Sequence, residues 1–275
     1  MGTGIKDYVQ RPFEGLPGEA DWVALHEILP AATATARFNA ENGGAEVAVA
    51  SLLPRVRPAW QRADGTVIVA LQTTFSSGDA SRDVAQALLL AQAAEPGEAI
   101  EAIDIDASGP RLQDVLDPEA PFEITVHPTF DYWKDLETED AEKYDDAIEE
   151  ASKALDPTQA APGLAGAYWT QQNGRPFLRW SLGIEEERLL DALARLHARR
   201  ESAVVPEARY AGAFRALGLI IPVWELPAGT EAGAVAEPAA AFRARLDQAL
   251  AATADLTVLE RRARAGLVAR SVTLR

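Results

Sequence analysis

The sequence predicts an α+β protein: a tandem duplication of an antiparallel sheet unit, in the order hairpin, helix, strand pair, helix, with the helices packed on one face. Three observations predict it. Asp64-Gly65 and Asn173-Gly174 stand between strand-like runs, where glycine supplies the positive φ of a tight hairpin. Apolar residues recur at helical spacing over 79–94, 140–155, 185–199 and 238–252. The two halves also run in the same order: 59–71 matches 167–182, and the segments beginning at Arg111 and Phe122 match those beginning at Arg209 and Leu219, at offsets of about 97 to 111 residues.

Taken in order, residues 1–30 are an arm with a short helix, Asp21–Leu29, ended by Pro30. The first repeat spans 31–158. Thr33–Phe38 and Glu46–Leu52 are strands joined through Asn42-Gly43-Gly44, and Ala59–Arg62 and Thr66–Thr73 form a second hairpin. A helix follows, capped by Asp79 or Ser81 and stopped by Pro96-Gly97. Ile100–Ile105 alternates, Arg111–Asp117 and Phe122–His127 read as a strand pair, and Asp140–Leu155 is an acidic helix with Thr138 as its cap. Pro157, Pro162, Gly163 and Gly166 mark a linker. The second repeat spans 164–254. Its hairpin, Tyr168–Gln171 with Pro176–Leu182, leads to a helix, Glu185–Arg199, that places Leu189, Leu190, Leu193, Leu196 and His197 on one face. Arg209–Phe214 and Leu219–Leu226 pair next. Pro222 assigns the latter to a sheet edge or a bulge, because proline donates nothing to a ladder. Pro238–Ala252 closes the repeat, and 255–275 is a basic C-terminal segment.

Composition narrows the function. Of 275 residues, 42 are acidic and 26 basic, a net charge of −16, which makes nucleic acid an unfavourable partner. With no cysteine, thiolate nucleophiles, disulfides and Cys-ligated metals are excluded. No apolar run approaches the ~20 residues that span a bilayer, and no signal-peptide core opens the chain, so no membrane insertion and a cytoplasmic location are expected. The charge is uneven: 131–156 carries −8, whereas 255–275 carries +3. Both read as solvated surface, or as faces that dock on each other or on partners of opposite charge.

No catalytic constellation or metal site emerges. His26, His127 and His197 stand alone, without the paired spacing of metal ligands. His197 reads as a core residue, and His127, close to Asp131, as a loop hydrogen-bonding group. Asp104-Ile105-Asp106 places two acids on one strand face, and Ser76-Ser77-Gly78 suits helix capping. No cofactor is implied. The tryptophans are the candidate partner-binding residues: Trp22, Trp60, Trp169, Trp180 and Trp224 are spread through the elements, mostly as core anchors, with one or two expected along a groove between the repeats.

Two resemblances bear on this. The stretch LIIPVWELPAGT (219–230) with AAFRARLDQAL (240–250) resembles the closing strand, Leu-Pro turn and last helix of the type III secretion chaperone fold. Segments 11–36, 109–117 (GPRLQDVLD), 208–232 and 261–275 (RRARAGLVARSVTLR) resemble an uncharacterised actinobacterial family, a domain of unknown function whose members sometimes bear the labels topoisomerase II or SecA translocase. An ATP site would be needed for either label, and no Gly-rich phosphate loop is present. That family opens with a Lys/Arg-rich leader, whereas this chain opens MGTGIKDYVQ, so whether those first ten residues are native is open. The expectation is therefore a non-catalytic interaction or chaperone-like adaptor module with a protein or peptide partner, a homodimer being one option. The alternative is a ligand sensor or small-molecule enzyme using the cleft between the repeats.

Overall fold

The computed structural model describes residues 8–103, 109–136 and 141–273. It divides into two compact units, Met1–Leu155 and Asp156–Arg275. The α+β class holds: each unit carries one six-stranded sheet. Residues 8–30 are built into the first unit, with Phe13 and Trp22 buried and their rings 5.6 Å apart.

The first unit runs α1 (Glu19–Glu27), β1 (Ala32–Arg37), β2 (Glu46–Ala50), β3 (Ala59–Gln61), β4 (Val67–Ala70), α2 (Ala80–Ala93), β5 (Ala99–Ile100), α3 (Leu112–Val115), β6 (Glu123–Val126) and α4 (Ala141–Ser152). The strand order is β5-β3-β4-β2-β1-β6. Every residue of β4 is buried, because the sheet is covered on both faces. Ala50, Trp60, Ile68 and Ala70 pack against Phe130, Tyr132, Trp133 and Ile148 of the 130–152 region. By strand alternation Val67 and Val69 face the other way, and α2 packs across β3 and β4.

The second unit runs β7 (Thr158–Ala160), β8 (Ala167–Gln172), β9 (Arg175–Trp180), α5 (Glu186–Ala198), β10 (Arg209–Ala216), β11 (Leu219–Glu225), α6 (Ala232–Leu250), α7 (Val258–Val268) and β12 (Ser271–Thr273), with strand order β12-β10-β11-β9-β8-β7. The expected linker is thus partly a strand. Asn173 and Gly174 both have positive φ (49° and 75°), the two left-handed positions of the hairpin turn joining β8 to β9. Leu189, Leu190, Leu193 and Leu196 of α5 bury with Trp180, Trp224, Phe242 and Leu267 in one core that joins α5, α6 and α7 to a single sheet face.

The two sheets share the order of their four central strands, β3-β4-β2-β1 and β10-β11-β9-β8. They differ in direction: β4 runs parallel to β2, whereas β11 runs antiparallel to β9. The cause is where a helix is inserted. Helix α5 stands between the hairpins of the second unit, while a short loop joins β2 to β3 in the first. Three expectations need correction. Arg111–Asp117 is not a strand: Leu112 and Val115 bury at i, i+3 on one helical turn, and the Arg111 amide donates to Asp114 Oδ2 at 2.8 Å. Pro222 is not on an edge strand. β11 lies inside the sheet, its pairing with β9 covers only Val223–Glu225, and a bulge sits beside it in β10 between Tyr210 and Gly212. The C-terminal segment is not a solvated tail, since α7 packs on α5 and β12 joins β10.

Gly212 is the tight point of that last pairing. Its φ is +153°, and a Cβ there would lie 2.4 Å from the Arg270 carbonyl oxygen. Gly212→Ala is therefore expected to lose about 1–3 kcal/mol and to speed hydrogen exchange at 271–273. Gly233→Ala, in α6 with open space around it, should be neutral or stabilising. Equal effects of the two in thermal melts would count against this account. Burial also pushes the Tyr132 and Tyr210 phenols up to about 12 from 10.0. A folded-state value above the unfolded one contributes stability that is complete below pH 10 and is lost as pH rises towards 12. Urea unfolding across that window should show the fall, together with two late-ionising tyrosines in the near-ultraviolet spectrum.

Candidate functional site

Each histidine meets a partner from its own unit. His26 Nδ1 meets Glu27 Oε1 at 2.9 Å, His127 Nε2 meets Thr33 Oγ1 at 2.8 Å, and His197 Nδ1 meets Ser202 Oγ at 3.0 Å. His197 is exposed, against expectation; the buried residue beside it is Arg195, whose long stem covers the apolar face. Asp131 accepts from Thr129 Oγ1 at 2.5 Å and pairs with Lys134 at 3.0 Å, which hold its carboxyl below the usual range. Asp104-Ile105-Asp106 and Thr138 lie outside the described residues. Among the described residues no three His, Asp or Glu side chains gather to hold a metal ion, and no helix is long and apolar enough to cross a membrane.

A buried polar network stands at the start of α2. Asp79, at the N-cap, does not bond the helix amides. Its Oδ2 pairs with Arg111 Nε at 2.9 Å and with Arg82 at 3.6 Å. Ser81 Oγ donates to Gln113 Oε1 at 2.6 Å and accepts the Leu112 amide at 3.0 Å. Asp83 accepts the Ser77 amide at 2.9 Å, which gives Ser76-Ser77-Gly78 its local role. Arg111 and Gln113 reach the Pro12 carbonyl at 2.7 and 2.9 Å. These bonds clasp α3 and the chain before α1 onto α2. They aim at one another rather than at a pocket.

The tryptophans do not form a docking surface. Trp22, Trp60, Trp169, Trp180 and Trp224 are all buried, none more than 8% exposed. Trp22 stacks on Phe122 at 4.0 Å between ring centroids. The other four, with Trp133, each donate an indole N–H to a backbone carbonyl: Trp60 to Gly97, Trp133 to Leu52, Trp169 to Thr230, Trp180 to Ala165 and Trp224 to Ser202. Residues satisfied in this way anchor loops to a core and offer no ring to a partner.

Exposed apolar side chains lie elsewhere. α7 begins with a capping box: Glu260 Oε2 accepts the Thr257 amide at 2.7 Å, and Thr257 Oγ1 accepts the Glu260 amide at 3.3 Å. The Thr257 amide holds the Glu260 carboxyl below its usual range. Arg264 fastens the same helix to α5, with Nε 2.7 Å from Asp191 and a terminal nitrogen 2.5 Å from Glu187. Leu267 buries beneath. α7 leaves aliphatic side chains uncovered at both ends: Val258 is 72% and Leu259 69% exposed in its first turn, Val268 36% at its last residue, and Val272 of β12 is 62% exposed. Among the described residues only Tyr8 and Leu90 are other large apolar side chains so exposed. Of these only Val268 reaches an open groove of about 780 Å³, whose other walls include Asp191, Asp255, Leu256, Arg261 and Arg264. β12 is an edge strand, paired to β10 in parallel on one side. Its other side is a ready partner for an extended chain. Arg261, Arg262 and Arg270 stand exposed around this corner. Sequence reasoning missed it, although Thr257-Val-Leu-Glu260 carries the capping-box spacing.

A family model described as a family of unknown function, DUF5926, matches residues 12–275, and the chain belongs to that family. No curated protein and no solved structure matches it.

The network at α2 generates a stability prediction. Arg111→Ala leaves the buried Asp79 carboxylate with Arg82 alone and should cost about 2–3 kcal/mol in urea unfolding. A change below about 0.5 kcal/mol, the range of ordinary surface substitutions, would refute the clasp.

Proposed function

We propose that this DUF5926 chain is a non-catalytic protein-interaction module, of an adaptor or chaperone-like kind, that holds a partner polypeptide against α7 and the free edge of β12. The observation that carries the reading is the exposure of Val258 and Leu259 at the start of α7, Val268 at its end and Val272 of β12, left in water on a helix and strand that are otherwise firmly anchored. Burying one such aliphatic side chain contributes about 1.5–3 kcal/mol, so three or four can offset much of the loss of freedom on association. An edge strand adds directional backbone bonds, the means by which extended peptides are captured on sheets. On the wall of the adjoining groove Arg264 is already engaged, by Asp191 and Glu187. A chain without cysteine forms no disulfide framework, which suits a reducing cytoplasm, and its Ala- and Arg-rich composition suits the actinobacterial resemblance.

The test is photo-crosslinking from a reactive residue placed at Leu259 of the full chain in its host cells. A discrete polypeptide adduct is expected, reduced at least about tenfold by Val268→Ser with Val272→Ser, a loss of at least about 1.4 kcal/mol in binding. No adduct, or an adduct of unchanged yield in the double variant, would remove the reading.

A further inference from the structure

We infer that the polypeptide received at this corner is the acidic helix α4 of a second copy, so that the protein self-associates through α7 and α4. The inference rests on the reading of α7 and β12 as a docking surface. Arg261 and Arg262 on α7 and Arg270 just after it are exposed, on a chain whose net charge is −16. An acidic partner is repelled by most of such a surface and drawn to this corner, which fixes where and how it lands.

The complementary face is carried by the same chain. Ile148 of α4 is buried in the core of the first unit. Asp145, Asp146, Ala147, Glu149 and Glu150 point outward and are exposed. The acids fall at i, i+4 as Asp145 with Glu149 and Asp146 with Glu150, giving two adjacent rows of carboxylates along one face, with the small Ala147 flanking the second row. α7 presents the counterpart: Arg261 and Arg262 one turn beyond Val258 and Leu259, followed by the small Ala265. Two helices packed together lie about 8–10 Å apart, close enough for the guanidinium groups of one to fork onto carboxylates of the other. Lys134 and Lys153 share some of that acidity at exposed distances of 3.0 to 3.6 Å, contacts weak enough to exchange for arginine.

Sedimentation equilibrium on the full chain, at tens of micromolar and about 150 mM salt, tests this. Reversible self-association is expected. Arg261→Glu with Arg262→Glu should weaken it at least about tenfold, and so should Glu149→Arg with Glu150→Arg. An equimolar mixture of the two reversed proteins should recover it, because each α7 then meets an α4 of opposite sign. Arg261→Gln with Arg262→Gln, a neutral change, serves if the reversal perturbs folding by circular dichroism. A monomeric wild type, association indifferent to both reversals, or a mixture that stays apart would each overturn the inference. If the wild type is monomeric while the Leu259 adduct to another polypeptide persists, self-association falls and the docking surface stands. If the purified chain instead carries nucleic acid that the Arg261→Glu, Arg262→Glu protein lacks, both fall.

Discussion

Burying an indole ring costs free energy unless its N–H finds an acceptor on the way in. That requirement shapes both units. Trp60, Trp133, Trp169, Trp180 and Trp224 each reach a carbonyl in a segment with no regular ladder of its own, at Gly97, Leu52, Thr230, Ala165 and Ser202. The rings fill the space between sheet and helices, and their polar ends pin the connections. In the second unit Trp224 and Trp180 lie 5.3 and 6.1 Å from Phe242, so sheet, α6 and the loops at 165 and 202 are held by one aromatic group. In the first, Phe130 and Trp133 stack at 4.5 Å and close the sheet face opposite α2.

Much of this was legible in the sequence where local chemistry decides structure. Asn173-Gly174 specifies its turn unaided, and the leucines of α5 mark their face. The misreadings share a cause: tertiary context overrode a local pattern. The run Arg111–Asp117 reads as the partner of the strand Phe122–His127, yet Leu112 and Val115 bury together on one turn. Of the two places read for Pro222, an edge or a bulge, the edge does not hold: the neighbouring ladder begins one residue later, and a bulge sits beside it in β10. His197 shares the stripe of α5, yet the side chain that turns inward is Arg195, which approaches Glu260 at 3.8 Å. Tryptophan type and spacing could not separate a ring that anchors from a ring that binds, because both want an apolar body and one polar partner.

The proposed surface is a product of anchoring as much as of exposure. α7 is fixed at its start by the capping box, along its length by Arg264 and beneath by Leu267. Little conformational freedom is left to lose when something covers its outer side, and preorganisation of this kind lets a modest patch bind. The polar network around Asp79 is a different arrangement, since its donors and acceptors are turned on one another and hold the start of the chain to α2.

The parallel seam between β10 and β12 has a consequence for how the molecule is made. Fifty-odd residues, including two helices, separate the strands, so β10 leaves the ribosome well before the strand that shields its flank. Throughout that interval the nascent sheet has a naked margin able to accept a stray segment. The absent side chain at Gly212 keeps the slot open for the late arrival. Synthesis speed through 217–270 would therefore influence how much newborn protein closes correctly.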